Sequence, residues 1–211
     1  SDDPGRRANP AYLYQGVTTV VIGNDGGGSA AVAETATALE ESGIGTNVGL
    51  LVGFGTVRSA IVGEDDRAPT ESELAAMKRQ VASGICEGAL GFSTGLHYTP
   101  QAFATTTEVA SLAAEAGSRG AIYDSHLRDE SNYSIGLLAA GAEALEIGRI
   151  SGSPVHIAHI KALGPDLWGK SAQVIAMIED ARHRGRDRPR ARRQRADTMS
   201  VRRGSGYPQM Q

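Results

Sequence analysis

The sequence predicts an α/β fold built on a parallel sheet, and three observations carry that prediction. Apolar, often β-branched runs recur along the chain, beginning near residues 17, 47, 88, 121 and 154. Stretches with helical spacing separate them, and glycine-rich segments mark most of the boundaries. Strands alternating with helices in this way are joined by crossover connections, which makes them parallel. Both an open sheet and part of a (β/α)8 barrel satisfy the pattern. A complete barrel usually needs about 250 residues, and this chain has 211.

Residues 1–16, SDDPGRRANPAYLYQG, read as a loop and a short helix. VTTVVIG, Val17 to Gly23, is a β-branched run typical of a buried strand, and GNDGGGS breaks it into a turn. A helix is expected from about Ala30 to Ser42, then a second buried strand in NVGLLVGFG, Asn47 to Gly55. Thr70 with Glu73 three residues on forms a capping box that opens a helix running to Gly84. GALGFSTGL is the third strand, followed by a helix from about Thr106 to Ala116. The fourth strand lies in AIYDSHLRDE, Ala121 to Glu130. IGLLAAGAEALEIGRISG, Ile135 to Gly152, is an amphipathic helix closed by glycine. SPVHIAHIKALG, Ser153 to Gly164, carries the fifth strand, ending at His159, and Ser171 to Arg184 is the last helix.

The net charge of -3 conceals two compositions. From Arg182 onward, arginines dominate and only Asp187 and Asp197 oppose them, whereas the preceding residues are strongly acidic. After Gly185 the segment RDRPRARRQRADTMSVRRGSGYPQMQ lacks apolar periodicity and cannot bury enough surface to fold alone. This divides the chain into a folded unit, 1–185, and an arginine-rich disordered or out-of-frame tail, 186–211. A basic arm for nucleic acid is one reading of that tail, but Tyr207 is its sole aromatic stacking group. An arginine- and proline-rich end is also what a shifted reading frame in GC-rich DNA produces. No apolar run approaches the roughly 20 residues that span a bilayer, and no signal-peptide pattern opens the chain. The single cysteine, Cys86, excludes an intrachain disulfide and fits a reducing, cytoplasmic compartment. It lies near a helix end without a histidine or cysteine partner motif, and a buried or partly buried structural thiol is expected.

The organising segment is the strand, helix, strand unit from Gly120 to Lys161, which puts His126 and His159 on neighbouring parallel strands. In parallel α/β folds, chemistry gathers where strands end, and neutral imidazole is the commonest metal ligand. A period of two places Val155, Ile157, His159 and Lys161 on one face of the fifth strand, and His156, Ala158 and Ile160 on the other. With the first face turned to a pocket, His159 and Lys161 project into it together. Asp124, Arg128, Asp129 and Glu130 either orient His126 or form a solvated charged loop. GNDGGGS and GFGTV, Gly53 to Val57, lack the lysine and spacing of a phosphate loop and read as tight turns. His97 and His183 have no partner that the sequence identifies.

Four stretches, QGVTTVVIGNDG, GALGFSTGLHY, YDSHLRDE and PVHIAHIKALG with the WGK at Trp168 to Lys170, together resemble the N-acyl-D-amino-acid deacylases. These D-aminoacylases belong to the metal-dependent amidohydrolase superfamily, and the likeness covers about Ser1 to Gly185. It implies a partial (β/α)8 TIM-type barrel, with this chain supplying about strands two to six. It implies that His126 and His159, ending strands five and six, are metal ligands. It also implies that Lys161 helps hold the substrate's α-carboxylate and that Tyr98, in GLHY, lies on a substrate-facing loop. Asp25 stands where the typical family sequence, GNCG, has a cysteine ligand. Carboxylate also binds divalent metals, although it is harder than thiolate and less biased to zinc.

The family's HxH pair at the end of strand one has no counterpart here. Neither does the strand-eight aspartate that takes a proton from metal-bound water. The resemblance therefore implies an internal fragment without its catalytic base, inactive or nearly so alone. The implied cofactor is a divalent metal, Zn2+ before others. The implied reaction is amide hydrolysis of a small N-acyl-D-amino acid, with neither nucleic acid nor membrane as partner. A cyclic amidase or dipeptidase of the same superfamily would share the histidines. A non-enzymatic binding protein whose basic tail contacts nucleic acid is the alternative of a different class.

Overall fold

In the computed structural model, residues 7–186 are described. A short helix, α1 (Pro10–Leu13), leads into β1 (Thr19–Ile22), α2 (Val32–Ser42) and β2 (Asn47–Gly53). Two helices follow, α3 (Phe54–Ile61) and α4 (Glu71–Cys86), then β3 (Gly91–Gly95) and α5 (Thr106–Gly117). The chain continues through β4 (Ile122–His126), α6 (Leu137–Ser151), β5 (Val155–Ile157) and α7 (Ser171–Arg186).

The five strands form one sheet in the order β1-β2-β3-β4-β5, every neighbouring pair parallel. A doubly wound sheet reverses its strand order at a switch point. Sequential order without reversal is that of a partial (β/α)8 barrel, which bears out the expected fold class. It also aligns the C-terminal ends of the strands along one rim.

The core lies between the sheet and the helices. Val52, Phe92 and Tyr123 from β2, β3 and β4 pack with Phe54, Val57, Met77, Val81, Val109, Leu112 and Ile147. A second cluster, with Leu127, Leu137, Ala140, Ala144 and Val174, fastens α6 and α7 together. Arg58, fully buried, sits 3.5 Å from the Glu108 carboxylate and donates to the Arg67 carbonyl, fixing the loop after α3. Thr70 Oγ1 accepts from Glu73 N while the Glu73 carboxylate accepts from Thr70 N at 2.7 Å, so the expected capping box is formed.

Several expectations need correction. The GFG read as a turn opens a helix directly from β2, because Phe54 and Val57 reach the core from its first turn. β1 is an edge strand with Val21 and Ile22 exposed, since among the described residues only β2 pairs with it. β5 stops at Ile157, two residues before His159. Helix α4 runs past Gly84 to Cys86, whose thiol is exposed, not buried. Residues 187–211, and with them most of the arginine-rich tail, lie outside the described residues. Among the described residues no helix is long and apolar enough to cross a membrane.

Candidate metal centre

Alternation along β4 decides which side chains reach the inner face of the sheet. Tyr123 packs on Phe92 on the helix side, with ring centroids 6.4 Å apart, so Asp124 and His126 point the other way. His126 ends the strand and is 2% exposed.

On β5 the observed face is the reverse of the expected one. Val155 and Ile157 pack into the two hydrophobic clusters, on the helix side. His156 faces inward instead, with Nδ1 2.5 Å from the buried Asp124 carboxylate. Strict alternation would send His159 toward the helices. The strand ends first: the chain bends at Ala158, whose N–H donates to the Ser125 carbonyl, and His159 Nε2 arrives 2.8 Å from His126 Nδ1.

Asp25 comes from the turn after β1. Its φ of 57° is left-handed, a conformation that aspartate tolerates better than most side chains. Two side chains hold the turn in place. Ser93 on β3 donates to the Gly23 carbonyl and accepts from Gly26 N at 3.2 Å. The buried Gln101 donates to the Asp25 carbonyl at 2.9 Å and accepts from Gly95 N at 2.7 Å. Close approach also requires Gly28, where a Cβ would lie 1.9 Å from the Leu51 carbonyl oxygen. So held, Asp25 Oδ1 stands 3.7 Å from His126 Nδ1. One ligand atom from each of Asp25, His126 and His159 falls within 4.8 Å of the others.

Around this triad the charged loop after β4 is buried. Glu130 Oε2 lies 3.0 Å from Lys161 Nζ and 3.9 Å from His126 Nε2, and its Oε1 lies 2.7 Å from His159 Nδ1. That last pair is close but not aligned as a hydrogen bond, and both atoms are buried without another partner. Asp129 accepts from the backbone of Ser131, Ser134 and Gly136 and from both serine hydroxyls. Burial works against its ionisation, but those donors prevail and hold its carboxyl far below the ordinary range. Burial lowers the His126 pKa, Glu130 and Asp25 pull it back up, and His159 and Lys161 add to the lowering. The outcome favours neutral imidazole, the form that binds metal.

The structure thus brings together Asp25, His126, His159 and Lys161, four of the five expected residues. Tyr98 joins them, its ring centroid 4.8 Å from that of His126, and His97 follows at 5.9 Å. His183 is exposed on α7. One carboxylate and two imidazoles are a donor set that suits a divalent cation. The two ring nitrogens facing each other at 2.8 Å share one proton, one ring donating and the other accepting. Ser93 and Gln101 carry no sequence signal for their part in placing the site, because their contacts are long-range and no local pattern encodes them. Glu130 is one of the residues expected to orient His126, and it reaches His159 and Lys161 as well.

No family model matches the chain. Among curated proteins it is 34% identical over 199 residues to a D-aminoacylase of Alcaligenes xylosoxydans xylosoxydans, a match covering 83% of this chain and 40% of that protein. It is 36% identical over 195 residues to an N-acyl-D-glutamate deacylase of the same organism, covering 82% and 39%. The chain therefore spans about two fifths of the length of these relatives. Among solved structures it superposes on the N-acyl-D-glutamate deacylase of Bordetella bronchiseptica, complexed with zinc and a phosphonate inhibitor, with a TM-score of 0.78. That match has 34% identity and covers 86% of this chain and 42% of the other. A D-aminoacylase studied for its binuclear metal centre gives the same TM-score, 0.78, at 30% identity, covering 85% and 42%.

Proposed function

We infer, from a chain homologous to the D-aminoacylases and N-acyl-D-amino-acid deacylases over 83% of its length, that it supplies part of the active site of such an enzyme. The reaction is hydrolysis of the amide bond of an N-acyl-D-amino acid to a carboxylate and the free amino acid. The observation that supports this most is the convergence of Asp25, His126 and His159 at the strand ends, beside Lys161.

Asp25, His126 and His159 would hold a divalent cation, with zinc the first candidate. Bound there, such a cation lowers the pKa of water and polarises a carbonyl. Burial keeps the His126 ring neutral and ready to ligate. The Lys161 ammonium takes the substrate α-carboxylate, and fixing that end of the substrate orients the scissile amide. Tyr98, 43% exposed above His126, contributes an apolar wall on the solvent side. We assign the general base to no residue of this chain. The single thiol fits a cytoplasmic enzyme with a small-molecule substrate.

The test is turnover of N-acetyl-D-amino acids by the zinc-loaded full-length gene product, against the L enantiomers and a His126→Ala variant. D-selective hydrolysis lost in the variant is the expected result. Turnover of hydantoins or isoaspartyl dipeptides instead would replace this reading with the cyclic amidase or dipeptidase alternative.

A further inference from the structure

We propose that Glu130 is a positioning residue that sets both His159 and Lys161 through one carboxylate, so that its loss weakens metal affinity and substrate affinity alike. The proposal deepens, and rests on, the reading of His159 as a metal ligand and Lys161 as the carboxylate anchor.

Three consecutive charged residues follow β4, and each is engaged differently. Arg128 forms a two-pronged pair with Glu143 at 2.8 and 2.9 Å and donates to the Ala102 and Ala104 carbonyls. Asp129 is taken up by the serines and Gly136 of its own loop. Glu130, 5% exposed, alone of the three points at the candidate centre.

The segment that needs it is the one after β5. His159 and Lys161 lie beyond the last ladder residue, Ile157, in neither helix nor strand. Glu130 meets that segment at three places: Oε2 accepts from Lys161 Nζ at 3.0 Å, its backbone carbonyl accepts from Leu163 N at 2.9 Å, and Oε1 stands 2.7 Å from His159 Nδ1 without yet being aligned as a hydrogen bond. A buried carboxylate is costly unless neighbouring charges and donors offset its desolvation, and here those neighbours are the two groups proposed to bind metal and substrate. When His159 ligates through Nε2, Nδ1 must carry the proton and donate. A carboxylate accepting it fixes the ring's orientation and raises its basicity. Replacing one oxygen by an amide NH2, as in Glu130→Gln, turns a donor toward either His159 or Lys161, so one arm must fail.

The experiment measures zinc affinity, by competition with a chromophoric chelator, and separately KM and kcat for an N-acetyl-D-amino acid, on the full-length gene product. Wild type, Glu130→Gln, Lys161→Met and the double variant are compared. Glu130→Gln is expected to weaken zinc binding by about 10–100-fold, the range for outer partners of metal ligands, and to raise KM more than it lowers kcat at saturating zinc. Lys161→Met is expected to raise KM while leaving zinc affinity at or above the wild-type level. The KM effects in the double variant should be less than multiplicative, since both act on one contact. Zinc affinity within twofold of wild type in Glu130→Gln, or a tenfold loss in Lys161→Met, overturns the proposal, and the second reading stands even if Glu130→Gln fails to fold. Wild-type protein that binds no zinc overturns the underlying reading, and this assignment with it.

Discussion

Gln101 offers the sharpest way to break the site without touching a ligand. Its amide bridges β3 to the turn that carries Asp25, accepting from Gly95 N at 2.7 Å and donating to the Asp25 carbonyl at 2.9 Å. Gln101→Leu keeps the volume close and removes both bonds. The buried Gly95 N–H loses its side-chain acceptor, whereas the Asp25 carbonyl is partly solvated and regains water, so about 2–4 kcal/mol of stability should be lost. The Asp25 turn, left-handed and held from outside itself, should also drift from His126, weakening metal binding. Urea unfolding followed by circular dichroism, with and without zinc, reads both effects. A loss under about 0.5 kcal/mol, the range of an ordinary surface change, with zinc affinity unchanged would refute the reasoning.

Three further outcomes follow from the same geometry. Gly28→Ala puts a methyl 1.9 Å from the Leu51 carbonyl oxygen, and the backbone shift it forces should cost about 1–3 kcal/mol or more, seen as a lowered urea midpoint. Glu73 has its pKa held down to about 2 by the Arg67 guanidinium and the Thr70 N–H, from an ordinary 4.5. Its contribution is therefore complete above 4.5 and is lost as the pH falls through about 2. Glu73→Gln should flatten the acid limb of the stability curve over that window, and parallel curves would contradict the assignment. Asp25→Cys puts a softer thiolate in place of the carboxylate and should raise preference for zinc and cadmium over manganese. With cobalt it should add a thiolate-to-metal absorption band in the near ultraviolet.

Much of this arrangement is legible in the sequence because it is local. Thr70 and Glu73 announce the start of α4, and Gly152, at φ 73°, ends α6 as its position in the sequence suggests. His126 can be placed at a strand end from the run that precedes it. For His159 period-two counting fails, because it assumes that the strand continues, whereas β5 stops at Ile157 and the bend redirects the chain. The burial of Val155 and Ile157 against the helices is a tertiary fact that a three-residue strand cannot encode. For the same reason Arg128, Asp129 and Glu130 look like a solvated loop in one dimension. Their partners are Glu143, the amides of the loop itself, and the pair His159 and Lys161, and only folding puts Lys161 31 residues away against Glu130. Cys86 shows the opposite error, an apolar-looking residue left outside because α4 runs two residues past Gly84.

Metal content is the measurement that tests the central claim most directly. Elemental analysis of purified protein, wild type against the His126→Ala/His159→Ala double variant, should find near-stoichiometric divalent metal in the first and none in the second. Equal metal in both, or none in either, would contradict a metal centre built on Asp25, His126 and His159.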